Sequence, residues 1–179
     1  MSRNAGRYGF TLIEVLMSFA VLGFVILFVY KFGAPIFTFF QHSQARQTAT
    51  NEARSCLNTI GTAMRAGLAN SVNRSTANGV TAPNSRIDFA LPAPLASGTT
   101  AYAFFLTPSR TVQMQEFKTS GSITKTLASN VTGLMFTGDY RDTSVFYVTL
   151  RIDAPFDSQG KTFTTIDLED QEVHMVVNH

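Results

Sequence analysis

The longest apolar segment of the chain lies close to its N-terminus. Residues 10–30 contain a single charged side chain, Glu14. As an α-helix this segment is about 31 Å long, which matches the hydrocarbon core of a bilayer. Arg3 and Arg7 precede it and favour a cytoplasmic N-terminus. No small-residue cleavage site of the secretory type follows the segment, so we expect a transmembrane helix that stays attached to the chain.

From residue 41 onward polar residues become frequent, while small and apolar residues continue at helical spacing. They recur every three or four positions, at Ala45, Ala49, Ala53, Cys56, Ile60, Met64 and Leu68. This spacing predicts an amphipathic helix that buries one face against a head domain and exposes Arg46, Arg54 and Arg65. We interpret Cys56, on the buried face, as a packing residue.

Gly33 and Pro35 interrupt the helical pattern between these two parts. Pro35 has no N–H to donate to the carbonyl of Lys31, so we predict a kink there. With this kink, the whole helix is expected to run from about residue 10 to residue 69.

Beyond the helix the pattern changes to short runs with the period of β-strands. A polar loop rich in glycine, proline and asparagine occupies residues 70–86. The predicted strands are 87–91, 102–106, 111–117, 123–127, 131–137, 145–153, 162–168 and 173–177. The clearest alternation places Phe146, Val148, Leu150 and Ile152 on one face, and residues 139–143 form the turn before that strand.

These patterns together predict an α+β fold. A long N-terminal helix, first transmembrane and then amphipathic, packs on a C-terminal head made of antiparallel β-sheet. Residues 10–40 form the transmembrane helix, residues 41–69 the amphipathic helix, and residues 70–179 the β-rich globular head.

Charge and composition exclude several classes of function. The net charge is only +2, so no nucleic-acid partner is expected. One cysteine among 179 residues excludes an internal disulfide framework and a thiolate zinc cluster. Residues 41–130 are basic and residues 131–179 acidic; this distribution suits a self-associating subunit, although charges on adjacent strands can also mix on one surface.

The predicted head carries no catalytic constellation. His174 is its only histidine before the last residue, and it alternates with Val173 and Met175, so we expect it on the solvent face. Acidic residues crowd a predicted turn at Asp167, Glu169, Asp170 and Glu172. A calcium site is one interpretation, but an ordinary solvated turn fits better because the EF-hand pattern is absent. We therefore predict no enzyme activity, no metal site and no cofactor.

The segment from Gly9 to Leu16 reads GFTLIEVL and follows a short basic stretch. It resembles the processing site of type IV pilins and of the pseudopilins of type II secretion. The resemblance implies that residues 1–9 are a leader, removed after Gly9 by a prepilin peptidase that then methylates the new N-terminus, Phe10. It also implies that Glu14 is the residue that meets the terminal amine of a neighbouring subunit.

The electrostatics of this segment agree with the implied role. Leader removal leaves a positive amine at the head of an apolar helix, beside N–H groups that have no helical partner. At ~4 Å and an effective dielectric of about 20, an amine–carboxylate pair is worth about 4 kcal/mol before desolvation is subtracted. Glu14 could pair with the amine of a neighbour or with that of its own chain. A third interpretation places Glu14 in the lipid headgroups with no specific role.

The predicted function is that of a structural minor subunit of a type IV pilus or a type II secretion pseudopilus. The stretches LASNVTGLMFTGDYRD and SVFYVTLRID resemble minor pseudopilins of the J type and minor pilins of the W type. The implied partners are other pilin subunits, the prepilin peptidase, the inner-membrane assembly platform and the lipid bilayer, with the head in the periplasm. The alternative is a tip pilin whose head binds a ligand in DNA uptake or adhesion.

Overall fold

The computed structural model describes residues 10–155 and 162–177. The described chain begins with one long helix, α1 (Leu12–Ala66), followed by a short 3₁₀ turn, Ala69–Ser71. Eight strands follow: β1 (Asn73–Ser75), β2 (Arg86–Ala90), β3 (Thr99–Leu106), β4 (Val112–Lys118), β5 (Gly121–Ala128), β6 (Val131–Gly138), β7 (Val145–Pro155) and β8 (Thr162–His174). The predicted α+β class is confirmed. The chain divides into two units, with the boundary between His42 and Ser43.

In the first unit, α1 is apolar on all sides. Its large hydrophobic side chains are exposed around the whole circumference. The most apolar window of 18 residues has a mean hydropathy of 2.7, and none of it is buried. By length and composition the helix can cross a membrane.

The helix is continuous through the predicted kink. Both Gly33 and Pro35 lie within α1, and the hydroxyl of Thr38 donates a hydrogen bond to the carbonyl of Pro35 at 2.9 Å. A Cβ added at Gly33 would contact nothing, so packing does not require glycine there. The kink itself stays a prediction.

In the second unit, residues 43–66 of α1 bury most of the predicted face, whereas Ala45 and Leu68 are half-buried and Leu68 lies beyond the helix. The side chains of Ala49, Ala53, Cys56, Ile60 and Met64 are each less than 5% exposed. Arg46, Arg54 and Arg65 are exposed, as the spacing predicts. Small residues at the first two of these positions allow the helix backbone to approach the sheets closely.

The helix ends at Ala66, three residues earlier than predicted, because the following backbone pairs with distant segments. The N–H of Leu68 donates to the carbonyl of Ala90 at 2.9 Å, and that of Ala69 donates to the carbonyl of Val176 at 2.9 Å. These bonds replace those that another helical turn would need.

The strands form two antiparallel sheets. The five-stranded sheet has the order β1-β2-β3-β4-β5, and the three-stranded sheet has the order β6-β7-β8. Side chains of α1 and of both sheets share one core, which includes Ile60, Phe104, Phe136 and Leu150. The alternation predicted for β7 is confirmed, since Phe146, Val148, Leu150 and Ile152 are all buried.

Two predictions for the head are corrected. The loop predicted over residues 70–86 contains β1, which pairs with β2. The last two predicted strands are one strand, β8, so the acidic residues do not lie in a turn. Instead the register shifts between Val148 and Leu150, and Asp170 has a φ of 51°, as expected for a bulge that accommodates one extra residue.

Candidate assembly and processing site

Thr11 forms the N-terminal cap of α1. Its main-chain carbonyl accepts hydrogen bonds from the N–H groups of Glu14 and Val15, at 3.0 and 3.2 Å. Its hydroxyl oxygen also accepts from the N–H of Glu14, at 3.4 Å. A threonine followed three residues later by glutamate is a common signature of a helix start. Thr11 is not among the predicted site residues, although its spacing to Glu14 is a signal for it.

Phe10 lies immediately outside the helix, and its side chain is 79% exposed. It borders a shallow apolar groove of about 440 Å³, lined also by Val15, Ser18, Phe19 and Leu22. Gly9, the other predicted processing residue, lies outside the described residues, as does the predicted leader. The structure therefore describes the predicted new N-terminus but not the bond that would be cut.

Glu14 occupies the first turn of α1 and is exposed. The hydroxyl of Ser18 donates to the main-chain carbonyl of Glu14, at 2.8 Å, and not to its carboxylate. Within residues 10–155 and 162–177, the carboxylate has no hydrogen-bond or ion-pair partner. An acid in the first turn interacts favourably with the helix dipole, but a carboxylate on an apolar surface still needs a cation once water is removed.

His174 and Asp167, two titratable residues of the head, each pair with a neighbouring side chain. His174 is exposed on β8 with its Nε2 2.9 Å from Oε1 of Glu172, which confirms its predicted place on the solvent face. Asp167 accepts a hydrogen bond from Nε of Arg151 at 3.0 Å. Among the residues that the structure describes, no group of three or more histidine, cysteine, aspartate or glutamate side chains could hold a metal ion.

Cys56 lies on the buried face of α1, as predicted. Burial, and secondly the nearby carboxylate of Glu52, raise the pKa of its thiol to about 12. The thiol is therefore protonated at neutral pH and is a poor nucleophile.

The N-terminal segment matches one known family model. Residues 4–30 match the model described as the prokaryotic N-terminal methylation motif. This range includes Gly9, Phe10 and Glu14, and it covers 27 of the 179 residues. No curated protein and no solved structure matches the chain. The N-terminal segment thus carries a signal of the kind found in type IV pilin-like prepilins, joined to a helix that can serve as a membrane anchor.

Proposed function

We propose that this chain is a structural minor subunit of a type IV pilus or of a type II secretion pseudopilus. It is cleaved between Gly9 and Phe10 by a prepilin peptidase and methylated at Phe10. It is held in the bacterial inner membrane by the apolar part of α1, with its head in the periplasm, and it enters the filament by packing of α1 against other subunits.

The observation that carries this proposal is the position of one unpaired carboxylate. Glu14 lies four residues after Phe10, on an apolar helix and inside the segment that matches the methylation motif. The first turn contributes unsatisfied N–H groups, and cleavage adds a positive amine beside them. A cation and an anion on neighbouring helices neutralise each other when packing removes both from water.

The interaction energy of this amine–carboxylate pair is large enough to influence assembly. At ~4 Å and an effective dielectric of about 20, the pair is worth on the order of 4 kcal/mol before desolvation. Removing only the carboxylate leaves a buried amine without a partner, which costs several kcal/mol, about 3–5 by analogy with broken buried pairs. Removal of the Glu14 carboxylate should therefore impair assembly more than it impairs membrane insertion.

Mass spectrometry of the membrane-extracted protein tests the processing step. In cells with an active prepilin peptidase, the expected product is residues 10–179 with one methyl group on the amine of Phe10. Recovery of the chain with residues 1–9 still attached would overturn the processing step.

A Glu14→Ala variant tests the assembly step separately. We expect normal cleavage, because Gly9 and Phe10 are unchanged, and a loss of incorporation into sheared filaments or into cross-linked subunit complexes. Ser18→Ala is the matched control, since it removes a polar group one turn further along the same helix without removing a charge. Equal incorporation of Glu14→Ala and Ser18→Ala would contradict the pairing.

A further inference from the structure

Strand β5 is an open edge of the five-stranded sheet. It pairs with β4 on one side and is the last strand in the sheet order. Six of its eight residues, 121–126, are exposed. Alternate residues of an edge strand direct their N–H and carbonyl groups away from the sheet, where they can pair with another strand.

The other sheet edges in the described chain are shorter or blocked. β1 has three residues. β6 is approached by the loop between β1 and β2, since the N–H of Phe136 donates to the carbonyl of Asn84 at 3.0 Å. β8 is interrupted by the bulge at Asp170. β5 contains no proline, and its pairing with β4 is regular from Thr126 to Gly121.

The side chains at this edge define a preference for a partner. Residues paired across an antiparallel ladder point to the same face, so the pairs Met114–Lys125 and Glu116–Ile123 lie on one face. Ile123 is 53% exposed, and Lys125 is exposed and has no ion pair among the described residues. The nearest acid on that face, Glu116, already contacts Lys118 at 3.7 Å.

The helix leaves this face accessible. α1 covers Met114, which is 7% exposed. An open groove of about 830 Å³ lies between the polar side of the helix and the strands, where it is lined by Tyr102, Met114 and Glu116. Ile123 and Lys125 remain exposed on this face, so the side chains of an added strand can reach them.

We propose that β5 is a docking edge for an extended segment of another protein, which adds to the sheet as a sixth, antiparallel strand. The segment carries an aliphatic residue opposite Ile123 and an acidic residue opposite Lys125, two positions apart on the same side. Main-chain hydrogen bonds hold the strand, and this pair of side chains selects it. The proposal goes beyond the filament role and depends on the head alone.

A second copy of the chain fits this edge poorly. A second β5 strand carries no acidic residue to place opposite Lys125, and the register that pairs Lys125 with itself brings two ammonium groups together. The acidic strand β8 does not match either, because an antiparallel partner needs an aliphatic residue two positions after its acid. The residues two positions after the β8 acids are Glu169, Gln171, Glu172 and His174, and none of them is aliphatic.

The test uses the full chain in detergent micelles and an eight-residue synthetic peptide. The peptide reads Thr-Val-Thr-Glu-Thr-Val-Thr-Thr, so that one face carries the aliphatic and acidic pattern. We expect binding with protection of residues 121–128 from hydrogen–deuterium exchange. Lys125→Glu should weaken binding about tenfold, whereas Arg65→Glu, the same charge change on the exposed face of α1, should not.

A peptide N-methylated at alternate residues controls for backbone pairing and should lose binding. Three results would overturn the proposal. They are the absence of binding at millimolar peptide, equal binding to the Lys125→Glu variant, and protection of β5 in concentrated protein without peptide, which would indicate a second copy. None of these results bears on cleavage or on Glu14, so the filament role is tested independently.

Discussion

The carboxylate of Glu52 on α1 accepts two hydrogen bonds from Ser129, one from the main-chain N–H at 2.6 Å and one from the hydroxyl at 3.1 Å. Ser129 lies in the turn between β5 and β6, where the chain passes from the five-stranded to the three-stranded sheet. A helix residue 77 positions away thus fixes the turn that joins the two sheets.

Replacing Glu52 by alanine should lower the free energy of unfolding by about 1–2 kcal/mol, because the N–H of Ser129 loses a charged acceptor. Glu52→Gln should cost less, since its amide oxygen can still accept. Denaturant unfolding of the full chain in micelles measures both. Asn51→Ala, at an exposed neighbouring position, should change stability by no more than about 0.5 kcal/mol; equal losses for all three variants would refute this role of Glu52.

Gly67 follows the end of α1 at a point of close approach. A Cβ there would lie 2.7 Å from Cε of Met175 and closer still to the ring of Phe89. Gly67→Ala should therefore destabilise the head by about 1–3 kcal/mol through overpacking, which thermal unfolding would detect.

Gly61 provides a matched comparison within the helix. A Cβ there would lie 3.7 Å from Cγ2 of Val173, an ordinary contact, and alanine favours the helix by about 0.5–1 kcal/mol. Gly61→Ala should therefore stabilise the head. We expect the two substitutions to change the free energy of unfolding in opposite directions. A loss of stability in both variants would contradict the packing around Gly61.

The Cys56 thiol makes stability depend on alkaline pH. Its folded pKa of about 12, raised by burial and then by Glu52, lies above the value of about 8.5 for a free cysteine. Above pH ~9 the unfolded chain releases this proton while the folded chain keeps it, so stability falls with rising pH by up to about 1.4 kcal/mol per pH unit. The free energy of unfolding, measured from pH 8 to pH 11, should fall with this slope in the wild type. In Cys56→Ala the part of the slope due to the thiol should be absent.

Asp142 introduces the opposite pH dependence in the turn before β7. The hydroxyl and then the N–H of Ser144 donate to its carboxylate, at 2.6 and 2.8 Å, and lower its pKa. Its contribution to stability is present at neutral pH and is lost as pH falls through the folded pKa. An NMR titration should place its midpoint below that of a free aspartate, and Ser144→Ala should move it back; an unchanged midpoint in that variant would exclude the hydroxyl as the cause.

Several features could be predicted because they depend on local periodicity. The buried face of α1 from Ala49 to Met64 follows from the helical repeat, and the buried face of β7 follows from the two-residue repeat. The methylation motif over residues 4–30 is local in the same way, and the roles of Gly9, Phe10 and Glu14 within it stay predictions. Thr11 could have been found from its spacing to Glu14.

The sequence by itself determined the apolar helix, its amphipathic continuation, the strand-rich head and the prepilin-like motif. Each of these features depends on the spacing of residues that are close together in the chain. Only the tertiary structure decided where α1 ends, that β8 continues through a bulge, that Glu52 holds Ser129, and that β5 is left as an open edge. These features depend on hydrogen bonds and close contacts between segments far apart in the chain, and no local pattern encodes which distant backbone groups will meet.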